Sequence, residues 1–408
     1  MSIDIRALPV DQLRAYVEAI ENAGGGEIEE EAWPYIARTF EPDRVMGAFD
    51  GARLVGGGAA YTFNLTVPGG HLPAAGVTWV GVLPTHRRRG ILRQMMAIQL
   101  ADVRRRGEPV AALWASEGSI YGRFGYGLAS LNGRIEIERD RAAFSSPVMP
   151  RGSMRMITGD EAVDLFPRVF DPLCAITPGF VSRSRTWWEA DTLPDVRAWR
   201  RGGGRKFYVV NERAGEPVGY VMYRVVSDWG DGGVTLSTLQ VQELLALDAD
   251  GLRETWAYVF GHDLIKTIRA RVGPADNPLL LMMAEPRRLA LRVGDGVWLR
   301  IVDVPAALAA RRYAGSDGLV LEVSDSFVPE FGGRWRLSVE SGSAHVDATT
   351  DQADLTLDVA DLGALYLGGF SFAQLARAGR TIELTPGARA RADALFGTSV
   401  RPWCPHIF

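Results

Sequence analysis

The chain has 408 residues and a mass of 44.5 kDa, room for two or three domains at roughly 150 residues each. Hydrophobic residues make up 47% and charged ones 23%, with a net charge of −4, so no strong field recruits nucleic acid or an anionic membrane. Two cysteines, Cys174 and Cys404, and five histidines cannot build a disulfide framework or a dedicated zinc cluster, so no metal and no oxidising compartment are expected.

Met1-Ser-Ile-Asp-Ile-Arg6 brings charge at once and lacks the apolar run of a secretory leader. Between Arg53 and Arg87 no acidic residue, lysine or arginine occurs, but Asn64, Pro68, Gly69, Gly70 and Pro73 cut the stretch into strands and turns rather than a membrane span. A cytoplasmic protein without a membrane partner is the expectation. The spacing of Leu13, Val17 and Ile20 predicts a helix over 5–22. Residues 45–49 and 54–63 read as a hairpin closed by Asp50-Gly51. Residues 76–83 form an apolar strand stopped by Pro84, and a helix follows over 90–106, with Gly107 placed to end it. The continuous apolar run Val110–Trp114 reads as a strand buried on both faces, parallel to its predecessor.

The same plan returns about 160 residues later: a hairpin over 207–210 and 218–226, a strand over 234–241 and a helix over 252–260. From Val293 onward the order changes. Strands at 319–323, 334–339 and 353–357 precede helices at 361–367, 372–376 and 388–396, an α+β arrangement. The sequence thus divides into two related α/β domains, 1–145 and 146–292, and a different third domain, 293–408.

The most informative stretch runs from Thr78 to Arg93. A strand enters a basic turn, Arg87-Arg88-Arg89-Gly90, that opens a helix. Unpaired N–H groups at a helix N-terminus bind anions, Gly90 allows close approach, and Arg87, Arg88, Arg89 and Arg93 add fixed positive charge. A solvated basic turn is the alternative. The corresponding junction of the second domain, Leu245 to Gly251, carries Asp248 and Asp250 instead, which would repel a phosphate and suit helix capping.

Arg87-Arg-Arg-Gly90-Ile-Leu92 resembles the coenzyme A pyrophosphate loop of the GNAT acetyltransferases, departing only at Leu92, where the pattern has glycine or alanine. Tyr121-Gly-Arg-Phe-Gly125-Tyr126 resembles the segment that closes the GNAT site. Together, Pro84-Thr-His-Arg-Arg-Arg-Gly90 and Ile120-Tyr-Gly-Arg-Phe-Gly-Tyr-Gly127 are similar to the enhanced intracellular survival (Eis) family. The segments Asp361-Leu-Gly-Ala-Leu-Tyr-Leu-Gly-Gly-Phe370 and Leu375-Ala-Arg-Ala-Gly-Arg380 are similar to that family's last domain. The resemblance implies tandem GNAT domains, the second degenerate, followed by a sterol-carrier-protein-like domain.

It further implies an N-acetyltransferase that uses acetyl-CoA as co-substrate. Val80, Gly81 and Val82 would lie along the pantetheine arm, Arg88, Arg89, Gly90, Ile91, Leu92 and Arg93 would wrap the pyrophosphate, and Ser116 and Glu117 would also touch acetyl-CoA. Blander readings make Val80 and Val82 core and Ser116 a helix cap. Tyr121 would be the proton donor and Tyr126 a wall. The apolar tail Trp403-Cys-Pro-His-Ile-Phe408 is itself compatible with a buried anchor, and the resemblance gives the Phe408 α-carboxylate the role of base. It also implies a homohexamer and an amine acceptor, an aminoglycoside-like polyamine or a lysine side chain. Glu27, Glu29, Glu30 and Glu31, with Trp33, could line the amine pocket or form a solvated face. A second reading makes the third domain a lipid- or protein-binding module carried on a GNAT scaffold.

Overall fold

The computed structural model describes residues 3–408. It opens with a short strand, β1 (Asp4–Ala7), where helical spacing predicts a helix; the helix itself spans Leu13–Gly24. Ile3 and Ile5 alternate with polar Asp4 and Arg6 and pack toward the core, and Pro9 stands between strand and helix. The next three strands form an antiparallel meander: β2 (Val45–Asp50), β3 (Arg53–Val67) and β4 (Gly70–Val82). Gly51 and Gly69 turn the chain at φ +63° and +70°, which costs a glycine little. The Ile91–Arg105 helix then leads to β5 (Val110–Trp114), parallel to β4 as its apolar sequence requires.

That parallel pairing is brief. It joins Ala74, Ala75 and Gly76 to Val110, Ala111 and Ala112, and stops. Beyond Gly76 the register of β3 on β4 also shifts, between Gly57 and Ala59, with Trp79 at φ +50°. The bulge bends β4 away, so Val77–Val82 pair with β3 on one side only and a wedge opens toward β5.

Strand pairing cuts across the ranges 1–145 and 293–408 that the sequence suggests. Val297–Ile301 inserts antiparallel between β5 and Gly127–Leu128, completing the seven-stranded first sheet. Leu131–Glu138 instead joins Thr267–Ala270 in the seven-stranded second sheet. Apolar periodicity marks each segment as a strand but carries no information about its partner. Accordingly the chain divides into one compact unit built from the chain through Leu131, Ile176–Ser182 and Asp295–Phe408, and another from Asn132–Ala175 and Arg183–Gly294.

The second unit repeats the first sheet's plan around a core that includes Val209, Val221, Leu239, Trp256 and Phe260. Its third hairpin strand runs Thr238–Ala246, later than the expected 234–241, because Gly230 to Gly233 extend the preceding loop. The third domain is α+β as expected: a five-stranded sheet and the helices Val359–Tyr366, Phe372–Arg377 and Ala388–Phe396. Its strand Ser343–Ala348 is not among those expected from the sequence, although Ala344, Val346 and Ala348 alternate there with Ser343, His345 and Asp347.

Within the first unit, Val359–Tyr366 is buried at every residue and lies across Val297–Ile301 and Gly127–Leu128. The crossing needs glycine on both sides. A Cβ on Gly127 would sit 1.7 Å from the Ala360 carbonyl oxygen, and one on Gly363 would sit 2.4 Å from the Leu299 carbonyl oxygen. Gly127→Ala is therefore expected to destabilise the protein by about 3 kcal/mol or more, since backbone is met on the far side. Gly122→Ala, with nothing within 4 Å, should change stability by less than about 0.5 kcal/mol. Chemical denaturation of both variants checks the pair.

Candidate active site

The wedge between β4 and β5 is the natural cleft of the first sheet. Val80, Gly81 and Val82 lie half-buried along its β4 edge, where backbone N–H and C=O groups lack a strand partner on that side. Val80 and Val82 also pack against Ala48, Val55, Ile91 and Met95, so their side chains serve the core while their backbone faces the cleft. Past β4 the chain enters the basic turn. Arg88 takes φ +62° and Gly90 φ +80°, and Gly90 caps the Ile91–Arg105 helix without any side-chain acceptor for the first N–H groups. An uncapped helix start surrounded by exposed Arg88, Arg89 and Arg93 fits a pyrophosphate.

The arginines divide their work. Arg87 is turned inward, donating from Nε to the Val82 carbonyl (3.1 Å) and from Nη2 to the Ala23 carbonyl (2.7 Å), so it braces the turn rather than offering charge. Arg89 lies 3.8 Å from Asp50, which also faces the buried His86 at 3.4 Å. Arg93 forms no ion pair among the described residues; its guanidinium lies 4.9 Å above the ring of Phe327. Ile91 is buried in the core, which leaves only its backbone for a ligand, and Leu92 is half-buried against Tyr121, Phe124 and their neighbours.

On the opposite wall, Ser116 and Glu117 stand exposed just beyond β5. Neither side chain caps the short Gly118–Tyr121 helix. Ser116 instead hydrogen-bonds the Tyr121 phenol, which is buried; burial raises the phenol above its ordinary value and the Ser116 contact pulls it partly back. The Tyr126 ring meets Tyr121 edge-on at 5.9 Å. Its hydroxyl is fully buried beside Arg300 and has no hydrogen-bond partner among the described residues, and burial holds that phenol protonated as well.

The tail reaches the apex of the same wedge. The Phe408 ring meets Phe63 edge-on at 5.1 Å, and a Cβ on Gly76, the last β4 residue paired with β5, would come 3.4 Å from Phe408 Cδ2. His406 is buried, 6.0 Å from Phe408 and 6.3 Å from Phe63 between ring centroids. Tyr61, Phe40 and Trp79 continue this aromatic wall, and Trp79 Nε1 donates to the Tyr61 hydroxyl at 2.9 Å. Sequence reasoning missed Phe63 and Tyr61, although their alternation along β3 places them on one face. Of the acidic run, Glu30 accepts from Arg14 (2.9 Å), whose guanidinium also covers Trp33.

The second unit has the same wedge with its contents replaced. Asp248 Oδ1 accepts from the Gly251 N–H at 2.7 Å at the start of the Ala249–Phe260 helix, and Arg213 donates to Oδ2 at 2.9 Å. Glu243, on the strand that outruns its parallel partner, is buried in an ion pair with Arg183 (2.6 Å). No group of three or more His, Cys, Asp or Glu residues able to hold a metal occurs among the described residues, and no helix is long and apolar enough to cross a membrane.

A splayed parallel strand pair, an uncapped basic helix start and a buried tyrosine define an acyl-CoA-dependent acetyltransferase of the GNAT type. Family models agree: residues 4–129 and 179–301 each match an acetyltransferase (GNAT) domain, and 304–405 match a sterol carrier protein domain. An uncharacterised N-acetyltransferase of Streptomyces avermitilis is 40% identical over the full length of both chains. The N-acetyltransferase Eis of Mycobacterium tuberculosis is 37% identical over 87% of this chain and 86% of its own. The crystal structure of Eis1 from Mycobacterium abscessus superposes with a TM-score of 0.84 at 35% identity, covering 99% of this chain and all of that one. The chain belongs to the Eis family of N-acetyltransferases.

Calorimetric titration with acetyl-CoA is expected to give one site per chain. Arg88→Ala and Arg93→Ala should weaken it, whereas Asp248→Ala should leave the affinity unchanged and lower stability by about 1 kcal/mol through loss of the cap.

Proposed function

We propose that the chain transfers acetyl from acetyl-CoA to the amine of a basic acceptor, an aminoglycoside-like polyamine or a lysine side chain, by direct attack in a ternary complex. The observation that carries this reading is the convergence of Tyr121 and the Phe408 tail on one wedge whose other end is the Arg88–Arg93 turn. Bound acetyl-CoA supplies an activated thioester. Val80–Val82 offer backbone groups to its amide-bearing arm, and Arg88, Arg89, Gly90 and Arg93, with the N–H groups of Ile91 and Leu92, hold its phosphates.

An amine at neutral pH is an ammonium and must lose a proton before it can attack. The Phe408 α-carboxylate takes that proton. As the new C–N bond forms and the C–S bond breaks, the leaving sulfur gains charge, and the Tyr121 hydroxyl donates a proton to it. A buried phenol suits this role because its raised pKa keeps the proton in place across the neutral range. Trp79, half-buried beside the buried Tyr61 and Phe63 rings, offers an aromatic face to a cationic acceptor.

Against the lipid-carrier alternative stands the third domain's interior. Arg311 is fully buried there, donating to the carbonyls of Tyr366 (2.7 Å) and Phe396 (2.9 Å), and the helix Val359–Tyr366 is spent on packing. A homohexamer is part of the proposal. Exposed Trp229, Val234, Leu236 and Leu264 on the second unit are apolar surface that assembly would cover, and light scattering should return six times the 44.5 kDa chain mass.

Free-thiol release in the presence of an aminoglycoside or a lysine peptide tests the chemistry. Tyr121→Phe should lower kcat by about 100-fold with acetyl-CoA affinity nearly intact, and one residue appended after Phe408 should cost activity far more than stability. Full activity in either variant would overturn its assigned role. The alkaline limb of the kcat profile should lie above pH 10. Because the Ser116 contact lowers the Tyr121 pKa, Ser116→Ala should move that limb to still higher pH.

A further inference from the structure

Phe327 is a third-domain residue that no sequence motif marks, yet it touches two parts of the first domain's site. Its ring face lies 4.9 Å from the guanidinium carbon of Arg93, and its edge meets Phe124 at 5.0 Å between centroids. Phe124 sits three residues after Tyr121, in the turn that carries the proposed acid, and shares a buried cluster with Tyr121 and Phe327.

The ring itself is held firmly. Asp325 Oδ1 accepts from the N–H groups of Phe327 (3.0 Å) and Val328 (2.9 Å), while Oδ2 is paired with Arg300, both side chains being fully buried. Four residues on, Phe331 repeats the contact, with Arg104 lying 4.6 Å above it. Arg93 and Arg104 are three helical turns apart on the Ile91–Arg105 helix and so share a face. One loop therefore stacks both arginines of that face.

Stacking on an aromatic ring uses the flat face of a guanidinium and leaves its N–H donors, which lie in the plane, free for phosphate oxygens. An exposed arginine with no ion partner is otherwise spread over many rotamers, and ordering it would be charged against ligand binding. We infer that Phe327 is a positioning residue for the acetyl-CoA site, pre-orienting Arg93 toward the pyrophosphate. The inference rests on the proposed reading of the Arg88–Arg93 turn. It makes the third domain a contributor to co-substrate affinity.

Steady-state kinetics with two acetyl donors tests it: acetyl-CoA, and S-acetylpantetheine, which lacks the pyrophosphate. Phe327→Leu keeps an apolar side chain but removes the ring. It should raise KM for acetyl-CoA about two- to fivefold at nearly constant kcat, leave kcat/KM for S-acetylpantetheine unchanged, and be rescued by Phe327→Trp. In the Arg93→Ala background the Leu substitution should have no further effect on KM. Equal losses with both donors, or an unchanged KM for acetyl-CoA while Arg93→Ala raises it, would overturn the positioning role alone. If Arg93→Ala itself leaves KM for acetyl-CoA unchanged, the reading of the basic turn fails and the inference falls with it.

Discussion

A helix laid directly on a sheet edge, backbone against backbone, fixes the geometry of the active unit. Val359–Tyr366 can approach Gly127 and Leu299 only because Gly127 and Gly363 carry no side chain there. The closeness of that contact leaves no room for sliding, since interiors are packed to crystal density. Beside it the fully buried pair Arg300–Asp325 ties the first sheet to the loop that carries Phe327. Such a pair adds little net stability, but losing one partner would strand a buried charge at about 3–5 kcal/mol. Its value is to define one docking orientation. Gly125, whose Cβ would lie 2.9 Å from the Arg300 guanidinium and from Val359, brings the turn bearing Tyr121 into the same joint.

The two wedges show how one scaffold is filled differently in its two copies. Both sheets splay a long strand away from a parallel neighbour, a consequence of β-bulges rather than of a ligand. What differs is what meets the opening. In the first unit backbone N–H groups and the exposed Arg88, Arg89 and Arg93 face it. In the second, Asp248 already satisfies the helix start and the Arg183–Glu243 pair occupies the strand, with the Tyr220 hydroxyl donating to Glu243 at 2.5 Å. Internal groups have taken the positions that a phosphate and an amide arm would otherwise fill.

Much of this was legible in the residues. The helix over 91–105, the strand Val110–Trp114 and the Asp50-Gly51 turn follow from periodicity and turn chemistry alone. The basic turn does open the helix where the spacing puts it, although Arg87 there is a brace because two carbonyls lie within its reach. What could not be read was anything decided by partners distant in sequence. Val297–Ile301 looks like any apolar strand, Phe327 like any loop aromatic, and Ser116 like a cap until its hydroxyl is found on Tyr121. Glycine contributes in a second way: Gly125 and Gly127 belong to a motif, but their reason is steric, set by a helix more than two hundred positions later.

The exchanged strands also order events during synthesis. β5 leaves the ribosome with one edge unpaired and keeps it so until Val297–Ile301 has been made, while Leu131–Glu138 waits similarly for Thr267–Ala270. Long-range pairings of this kind slow folding, and open strand edges invite association with other nascent chains.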